Sequence, residues 1–518
     1  MPLTSANLNT RIASLLDAKR IHTDPLELAA YAVDEITPSV AVKPANAEQA
    51  AEIVRFAIAE NLAIISCGRR SKLGIGMPPA RYDIALDMST INQIAHYDPG
   101  DLTLSADAGC TLENIAAALT PQNQFLPLPT AFGRRATIAG AIASGVDSPL
   151  RQFYGTARDF LIGAEFVDGT GAQCKSGGRV VKNVTGYDLH KLLIGSLGTL
   201  AVITRLNFRT FPSLTSGATR SETFYARFRD GKSAVAFRQK IAASPFTPYA
   251  IEIIDPEMAR ILSKVPDGPA RKLLNAPPAA GPDPAPAADP DNRAASDDQA
   301  ANYVQMEWFV AVFFHGTAEL LQRYTATLCE FAESAGATLF SNLEADIRAS
   351  QEITSRLPQP TASYPEPIPF DELVFDALHH LRDTYPAATI FKIAQLPAKL
   401  PDLFAALGHI ANQAQLPHVL FAHGIGITYF ALILYPFGEP YALDNPATVK
   451  RVAQAAQEIF AECSRQSATA TIQFAPTTLK RQLNVFGPER SDAPAMRRLK
   501  SAFDPHNLFA PGRMLQVI

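Results

Sequence analysis

The chain has 518 residues, which at roughly 150 residues per domain predicts two to four domains. Its 46 Lys and Arg residues nearly balance 50 Asp and Glu residues, and the net charge of −4 disfavours a nucleic-acid partner. Charged residues make up 19% of the chain, below the usual value of about 25%, and this deficit favours a surface partly covered by another subunit.

The five cysteines stand far apart and never form a CxxC pair. That spacing favours neither a disulfide framework nor a metal-cluster site, and it fits a reducing compartment. The first residues lack a basic region followed by an apolar one, and no stretch reaches the roughly 18 uncharged apolar residues of a membrane span. We therefore expect a cytoplasmic protein without a direct membrane span, with any membrane association running through partner subunits.

The N-terminal third of the chain is predicted to begin with a helix and a βαβ unit. Leucines and isoleucines at helical spacing predict a lead-in helix over residues 8–32, within an N-terminal segment 1–33. Residues 39–42 and 62–66 are apolar runs typical of strands, and Asn46 is placed to cap a helix between them. A right-handed crossover puts the following turn, CGRRSKLGIG, at the carboxyl edge of a sheet.

The remaining chain is predicted to form two α+β domains. Short strands recur from residue 84 to residue 208, which gives a first domain over residues 34–213. Residues 275–301 are rich in Pro, Ala and Asp and lack aromatic residues, which predicts a disordered insertion. The second domain spans residues 214–274 and 302–470. A turn-rich C-terminal segment, residues 471–518, follows it.

Strands alternate with amphipathic helices in the second domain, a pattern typical of helices packed on one face of an antiparallel sheet. The predicted elements are strand 223–228 with a helix from residue 231, strand 307–314 with helix 317–335, strand 389–394 with helix 400–413, and helix 447–465.

Several familiar motifs are absent from the sequence. GIG at 74–76 and GIG at 424–426 lack the third glycine and the helix of a dinucleotide fingerprint, and neither GxSxG nor HExxH occurs. His409, His418 and His423 lie close together in the sequence. Metal ligation by these histidines stays open, but solvated or core positions are the favoured interpretation.

Three tracts of small residues remain, at 67–76, 136–145 and 195–204. In the first tract, successive main-chain N–H groups can form a nest for phosphate oxygens, and glycine permits close approach. The second tract would admit a flat ligand or another backbone, and the third is a glycine turn that leads into an apolar strand. Close packing alone would explain each tract taken singly.

In this order and spacing, the tracts resemble the FAD-binding family typified by vanillyl-alcohol oxidase and p-cresol methylhydroxylase, the PCMH type. The C-terminal half is similar to one branch, the FAD-binding E-type subunit of bacterial glycolate oxidases. The matching pieces are GRRSK at 68–72, PLPTAFGRRATIAGAIAS at 127–144, FYGTARDFLIG at 153–163, VVKNVTGYDLHKLLIGSLGTLAVIT at 180–204, IQFAPTTLKRQLNVFGPE at 472–489 and MRRLKSAFDPHNLFAPGRM at 496–514.

The resemblance implies an α+β fold: a two-subdomain PCMH-type FAD-binding domain, an α+β cap domain with an antiparallel sheet, and a C-terminal segment that returns to the FAD domain. It also implies FAD held without a covalent link, since RSK at 70–72 has no histidine where flavinylated relatives carry one. The implied FAD contacts are the main-chain amides of Gly68, Arg69, Arg70, Ser71 and Lys72 at the pyrophosphate, Pro129, Thr137, Ile138, Gly140 and Ser144 along the ribityl and ring side, Gly155 at the next turn, and Ile203 at the adenosine end.

The sequence departs from related 2-hydroxyacid dehydrogenases at their metal site. Their HxGDGNxH segment corresponds here to AHGIGITY at 422–429, with Ala422 and Tyr429 in place of the two histidines. Their later EHGIG corresponds to QFAP at 473–476, which offers neither an acid nor an imidazole. We therefore predict no metal in this chain. His423 is offset by one position from the ligand histidine and is interpreted as a core residue.

The resemblance implies an FAD-dependent oxidoreductase in a glycolate-oxidase-like complex. Such a complex would oxidise a 2-hydroxy acid such as glycolate, and its other parts would be a catalytic flavin subunit and an iron–sulfur subunit. Lys392, in the strand FKIAQLP, is the candidate cation for the substrate carboxylate, with a solvated edge lysine as the alternative. Two other functions stay open: an auxiliary flavin-binding or assembly subunit without its own turnover, and a stand-alone flavin alcohol oxidase.

Overall fold

The structure, a computed structural model, describes most of the chain. The described residues are 8, 11–128, 133, 135–179, 186–215, 218–265, 307–342, 374–434 and 445–514. The Pro/Ala-rich segment 275–301 and Pro129 lie outside them. None of the described helices is both long and apolar enough to cross a bilayer.

The N-terminal residues do not form the single lead-in helix predicted over 8–32. Ile21–His22 forms strand β1, and helix α1 (Pro25–Ala29) begins only after Asp24. The Asp24 carboxylate accepts the N–H groups of the second and third helical residues, and proline at the first helical position starts a helix but cannot continue one. The apolar spacing in this segment therefore belongs to separate short elements.

The predicted βαβ unit is confirmed. Strands β2 (Val40–Val42) and β3 (Ile64–Cys67) flank helix α2 (Ala47–Glu60), and both lie parallel to β4 (Ile84–Asp87). The Asn46 side chain caps α2 by accepting the N–H of the third helical residue at 2.9 Å. With β1 at its edge, this sheet has the order β1–β2–β4–β3 in the described residues.

A five-stranded antiparallel sheet packs against the first one through a shared apolar core. Its order is β5–β6–β10–β8–β9, and a two-stranded sheet, β11–β7, lies beside it. The bounds are β5 (Ile94–Asp98), β6 (Thr103–Asp107), β7 (Gln124–Phe125), β8 (Leu161–Val167), β9 (Gln173–Gly177), β10 (Val202–Arg209) and β11 (Phe211–Pro212), with helices α3 (Leu112–Leu119), α4 (Ile138–Ser144), α5 (Arg151–Tyr154) and α6 (Ala157–Phe160).

The second half of the chain forms an eight-stranded sheet in the described residues, and all its pairings are antiparallel. The order is β15–β12–β14–β13–β17–β18–β16–β19. The strands are β12 (Arg220–Phe228), β13 (Ala250–Ile254), β14 (Trp308–Gly316), β15 (Leu339–Asn342), β16 (Thr389–Ala394), β17 (His418–His423), β18 (Ile427–Leu432) and β19 (Thr469–Phe474).

Within the described residues, the α-helices of this half are α7 (Gly231–Ala242), α8 (Pro256–Ser263), α9 (Ala318–Ser334), α10 (Ala377–Thr384), α11 (Leu400–Gln413), α12 (Pro446–Arg465), α13 (Thr477–Lys480) and α14 (Ala493–Phe503). The predicted strands and helices are confirmed within a few residues, and β16 and α11 have the predicted bounds. The fold is the α+β arrangement expected from the sequence.

The eight-stranded sheet has two differently covered faces. Because side chains alternate along a strand, Ile251 and Ile253 of β13 pack with helices α7, α9, α11 and α12 on one face. Ile254 points to the other face, where the apolar cluster also contains Val146 and Leu150 from the first half of the chain. We call this second surface the inner face. The short helices α8 and α10 also pack there, so the prediction of helices on one face alone is incomplete.

The C-terminal residues return to the first half of the chain. Main-chain bonds of 2.8 Å join the N–H of Ile64 to the carbonyl of Leu508, and the N–H of Ala510 to the carbonyl of Ile64. The proposed segment boundary at residue 471 falls inside β19, so residues 471–474 belong to the eight-stranded sheet. The segment that reaches back therefore begins after that strand.

Candidate functional site

A cleft that is partly open to solvent runs along the carboxyl end of β3. The turn after β3, helix α4 and the start of β10 form its walls. It brings together most residues predicted to bind FAD, although these come from three distant parts of the sequence. The predicted residues that line it are Gly68, Arg69, Arg70, Ser71, Lys72, Thr137, Gly140, Ser144 and Ile203.

The turn after β3 is shaped by a left-handed residue and a buried anchor. Arg70 has φ of 62°, a left-handed conformation of the kind that lets successive main-chain N–H groups converge in an anion-binding nest. Its guanidinium lies 3.3 Å from the buried Asp87 carboxylate and 4.4 Å from the ring centre of Tyr31. The Arg70 side chain therefore holds the turn in place, and the main chain of the turn is what can meet a ligand.

Gly68 lets the turn approach helix α4. A Cβ atom at position 68 would lie 2.3 Å from Thr137 Oγ1 and 2.6 Å from Thr137 Cγ2. Thr137 is in turn the N-cap of α4, since its Oγ1 accepts the N–H of Gly140 at 3.3 Å. A side chain at position 68 would thus displace the start of α4 before it met any ligand.

Replacing Gly68 with Ala is therefore expected to destabilise the cleft by about 1–3 kcal/mol, the usual cost of overpacking, and to lower FAD content. The matched control is Gly74→Ala in the same turn, where a Cβ meets only Phe474 Cδ1 at 3.9 Å. FAD per chain after gel filtration, together with the thermal midpoint, measures both variants. Equal FAD content in the two variants would contradict the assigned role of Gly68.

The cleft is electropositive, with buried cations and no acidic side chain among its described lining residues. Burial lowers the pKa of Lys72 to about 8, against the opposing effect of Asp376. Burial likewise lowers the pKa of Arg513 to about 10. Arg513 is 3% exposed, and its Nη1 has no hydrogen-bond partner among the described residues. A ligand with a negatively charged pyrophosphate would offset the cost of burying these cations, so the residues fit FAD.

Two of the described residues that were predicted to bind FAD do not line this cleft. Ile138 is fully buried in the apolar core beneath α4. Gly155 borders a smaller cavity with Asp147 and Arg151, and it allows the Asp159 carboxylate to come close at the start of α6. Pro129 is outside the described residues. Neither Ile138 nor Gly155 therefore lines the cleft in the described residues.

A second polar cluster lies on the inner face of the eight-stranded sheet. The Lys392 ammonium is 2.6 Å from Asp147 Oδ2 and donates to the Gly145 carbonyl at 3.1 Å. Arg151 Nη1 lies 2.6 Å from the other Asp147 oxygen. Lys392 is therefore not a solvated edge lysine. Two cations share one carboxylate, which leaves the cluster with one net positive charge next to Ser144 of the FAD cleft.

His423 is buried, and it has a specific partner. Its Nδ1 lies 2.9 Å from both carboxylate oxygens of Glu252 on the neighbouring strand. No group of three or more potential metal ligands occurs among the residues that the structure describes. Ala422 points toward the helices, and Tyr429 lies on the inner face with Lys392 as its register partner.

Sequence reasoning assigned no role to several residues that the structure brings to these sites. Arg513 carried a signal, because it lies in the C-terminal motif that supports the family resemblance. Asp147 and Arg151 carried little signal, since they lie in a loop and a one-turn helix. Glu252 could have been noticed as a carboxylate within the apolar strand AIEII.

Family models match both halves of the chain. The model described as FAD binding domain matches residues 38–177, and the model described as FAD linked oxidases, C-terminal domain, matches residues 218–514. The second match alone covers more than half of the chain. The FAD-binding match contains the turn after β3 and helix α4, and the C-terminal match contains Lys392, His423 and Arg513.

Curated relatives include two glycolate oxidase subunits. GlcE of Escherichia coli is 37% identical over 162 residues, 31% of this chain and 46% of that protein. GlcD of Bacillus subtilis is 24% identical over 92% of this chain and 89% of that protein. D-2-hydroxyglutarate dehydrogenase of Xanthomonas citri is 30% identical over 38% of this chain and 44% of that protein. The matches to GlcE and to the dehydrogenase each span less than half of the relative's length.

Solved structures share the fold over nearly the whole chain. p-Cresol methylhydroxylase superposes with a TM-score of 0.71 at 17% identity, covering 98% of this chain and 96% of its own. Alkyldihydroxyacetonephosphate synthase superposes with a TM-score of 0.64 at 15% identity, covering 98% and 85%. With the family matches and the electropositive cleft, these findings identify the chain as an FAD-dependent oxidoreductase that belongs to the family of FAD-linked oxidases.

Proposed function

We propose that the chain is the FAD-binding subunit of a glycolate-oxidase-like complex and oxidises a small 2-hydroxy acid such as glycolate. The observation that carries the proposal is the Lys392–Asp147–Arg151 cluster. Its surplus positive charge adjoins the FAD cleft through Gly145 and Ser144, where a substrate carboxylate could be held. The names of the relatives, glycolate oxidase subunits and a 2-hydroxyacid dehydrogenase, support the same substrate class.

FAD supplies a two-electron acceptor when it is bound. In the proposed arrangement, the main-chain amides of residues 68–72 would hold its pyrophosphate, and Lys72 and Arg513 would balance the phosphate charge. The small residues Gly140 and Ser144 of α4 leave room along the cleft wall. Ile203, at the start of β10, would line the adenosine end.

Two features of the inner face would orient the substrate. The cluster around Asp147 binds the carboxylate, since ammonium and guanidinium groups both donate to carboxylate oxygens. The apolar residues of the same face, including Phe421 and Ile427, exclude water from the reacting carbon. Substrate bound there would lie between the sheet and α4, with its α-carbon toward the FAD cleft.

We propose an iron–sulfur partner subunit as the electron acceptor. The five cysteines stand far apart in the sequence, so the thiolate ligands of a cluster would come from another polypeptide. A flavin that gives up electrons one at a time is suited to such a partner.

Anaerobic titration of the purified full-length chain tests the function. FAD is first identified by mass spectrometry of the released flavin, and glycolate, D-lactate and D-2-hydroxyglutarate are then added in turn. Loss of the oxidised flavin absorbance on adding one of these acids is the expected result. A chain that holds FAD but stays oxidised with all three would overturn the proposed function.

Replacing Lys392 with Met is expected to raise KM for the 2-hydroxy acid roughly 10–100-fold, because a hydrogen bond to a charged group contributes about 1.5–3 kcal/mol. The fold should persist, since Asp147 keeps Arg151 as its partner. Lys399→Met is the matched control, because Lys399 is exposed and its ammonium donates to the Gln466 carbonyl at 3.4 Å, away from the Asp147 cluster. Steady-state kinetics that gave one KM for both variants would contradict the carboxylate role.

A second candidate function is an auxiliary flavin-binding or assembly subunit. The observation in its favour is the replacement of two metal-ligand histidines of related dehydrogenases by Ala422 and Tyr429. The anaerobic titration separates the two functions, since an auxiliary subunit would bind FAD without being reduced. Rapid reoxidation by oxygen after reduction would instead favour a stand-alone oxidase.

A further inference from the structure

A groove with a mainly apolar lining runs along helix α14 and shares no lining residue with the FAD cleft. We call it the α14 groove. Its walls come from α14, from the 3₁₀ turn Leu189–Leu193 and the chain that leads into β10, and from the C-terminal residues that return to the first half. Its large apolar side chains are Leu192, Ile194, Leu200, Met496, Leu499 and Met514.

Large apolar side chains at the α14 groove and beside it are exposed to solvent. Leu499, which lines the groove, is 38% exposed, and Leu189 and Tyr187, in the segment that enters it, are 38% and 89% exposed. These are three of the six exposed large apolar side chains among the residues that the structure describes. Exposed apolar patches on folded proteins mark interaction sites, so this surface is suited to bury apolar side chains of a partner.

A single turn of main chain separates the α14 groove from the FAD cleft. Leu197 and Gly198 line the cleft, whereas Thr199 and Leu200, which follow them directly, line the groove. The Thr199 hydroxyl donates to the Ser196 carbonyl at 2.7 Å and closes this turn. A redox group held against the groove would therefore lie one turn away from a flavin in the cleft. One groove also matches the small contact areas that are typical of electron-transfer complexes.

The charges at the α14 groove favour an acidic partner. In the described part of the chain, the charged residues that line the groove are Lys191 and Lys500, and each is paired with one carboxylate. Arg498 on α14 is exposed and forms no ion pair with a described residue. Arg158 is also exposed, and it lies within electrostatic range of Asp188 at the 3₁₀ turn. A partner surface with Asp or Glu beside its apolar side chains would complement these cations.

We propose that the α14 groove is the docking site of the iron–sulfur subunit, which contributes an apolar segment flanked by carboxylates. The proposal rests on the proposed 2-hydroxy acid function, because the electrons come from that substrate. Oxidation of one 2-hydroxy acid to the 2-oxo acid yields two electrons and two protons. The electrons cross the turn one at a time, each reducing one ferric iron of the partner's cluster to ferrous iron, and the protons go to water. No bond forms between the two proteins.

Two other occupants match the groove less well. In a two-fold contact between copies of this chain, each patch meets its own copy, so the cations at the two grooves would face one another. An apolar small molecule inside the groove would leave the exposed Tyr187 and Leu189 side chains uncovered. An acidic redox partner accounts for the charge, the exposed apolar side chains and the position beside the FAD cleft together.

The complex isolated through a tag on this chain, from the cells that naturally produce it, tests the docking site. Leu499→Asp should lower iron and acid-labile sulfide per FAD roughly tenfold after gel filtration, because it places a charge within the apolar contact. FAD per chain and flavin reduction by glycolate should stay unchanged, since Leu499 does not line the FAD cleft. Leu26→Asp is the matched control, because Leu26 is an exposed leucine that does not line the groove.

Arg498→Glu tests the charge and leaves the apolar contact in place. The rate at which the chain, reduced by glycolate, reduces the purified iron–sulfur subunit of the same complex should fall roughly tenfold at about 10 mM ionic strength. It should approach the wild-type rate at about 1 M, where the Debye length falls to about 3 Å. Lys19→Glu is the matched control, since Lys19 is 78% exposed and does not line the groove. Equal slowing in both variants would contradict the proposed acidic partner surface.

The outcomes separate the docking site from the proposed function. Equal iron per FAD in Leu499→Asp and wild type, or an equal loss in Leu26→Asp, overturns the docking site. A wild-type preparation without iron and labile sulfide overturns it too, while bleaching of its flavin by glycolate upholds the 2-hydroxy acid function. A dimer of this chain that Leu499→Asp dissociates would assign the groove to a second copy instead. Flavin that no 2-hydroxy acid bleaches, with iron lost only in Leu499→Asp, refutes the function and leaves the docking site standing.

Discussion

Replacing Lys480 with Met is expected to lower the free energy of unfolding by about 3–5 kcal/mol and to release FAD. The Lys480 ammonium lies 2.7 Å from Asp34 Oδ1 and 2.6 Å from the Gly74 carbonyl, and the two side chains are 1% and 6% exposed. Removing one member of a buried pair leaves the other charge unpaired in the interior, which is far costlier than losing a surface pair. Gly74 lies in the same turn as the proposed pyrophosphate contacts, so the turn loses an anchor as well.

The neighbouring residue offers a matched control. Arg481 pairs with Glu35 at 3.0 Å, but these side chains are 58% and 62% exposed, so Arg481→Met should cost only about 0–1 kcal/mol. Urea unfolding of both variants, with FAD released at each concentration, gives the comparison. Adding Asp34→Asn to Lys480→Met should restore part of the stability, since asparagine tolerates the φ of 49° at this position and removes the unpaired charge. Equal losses for Lys480→Met and Arg481→Met would contradict the buried-pair argument.

Local signals allowed most elements to be predicted. Asn46 caps α2 as its position indicated, and the bounds of β16 and α11 agree with the apolar pattern. The prediction of a lead-in helix was wrong. Its leucines and isoleucines are divided between strand β1, which pairs with β2, and helix α1, which starts at Pro25. Periodicity over a short segment cannot tell one long helix from two short elements whose boundary is set by tertiary pairing.

The sequence predicted the FAD cleft better than it predicted the polar groups on the inner face. The family resemblance implied Gly68, Thr137 and Ile203 as FAD contacts, and the structure brings them into one cleft. The Glu252–His423 pair was missed because its members lie 171 positions apart and pair only through the order of strands in the sheet. That order depends on non-local contacts, which no local pattern encodes.

FAD binding is expected to weaken as the pH rises above about 8, by up to tenfold per pH unit. Burial lowers the pKa of Lys72 to about 8 in the chain without FAD, so the ammonium is charged below this pH and neutral above it. A bound pyrophosphate favours the charged form and raises this pKa, so FAD binding takes up a proton at alkaline pH. The dissociation constant should therefore be flat below pH 8 and rise above it.

The stability of the FAD-free chain should change in the opposite direction. Because the folded-state pKa of Lys72 lies below its ordinary value of 10.5, the unfolded chain binds more protons between about pH 8 and 10.5. The buried Lys72 ammonium therefore lowers the free energy of unfolding below pH 8. This destabilisation disappears as the pH rises and the ammonium loses its proton. An anion bound in the cleft offsets this destabilisation below pH 8, because it pairs with the charged ammonium. Protonation of Lys72 and binding of FAD therefore favour each other.

Two variants isolate Lys72 from other groups that titrate in this range. Lys72→Arg keeps its charge throughout and should bind FAD with little pH dependence between pH 7 and 10, because guanidinium stays protonated. Lys72→Met should also give a flat profile, with binding weaker by roughly 10–100-fold below pH 8. Calorimetric or fluorescence titration of the flavin-stripped chain measures all three profiles. A wild-type slope that persisted in Lys72→Met would mean that another group carries the proton, and the pyrophosphate would then have to be balanced by Arg513.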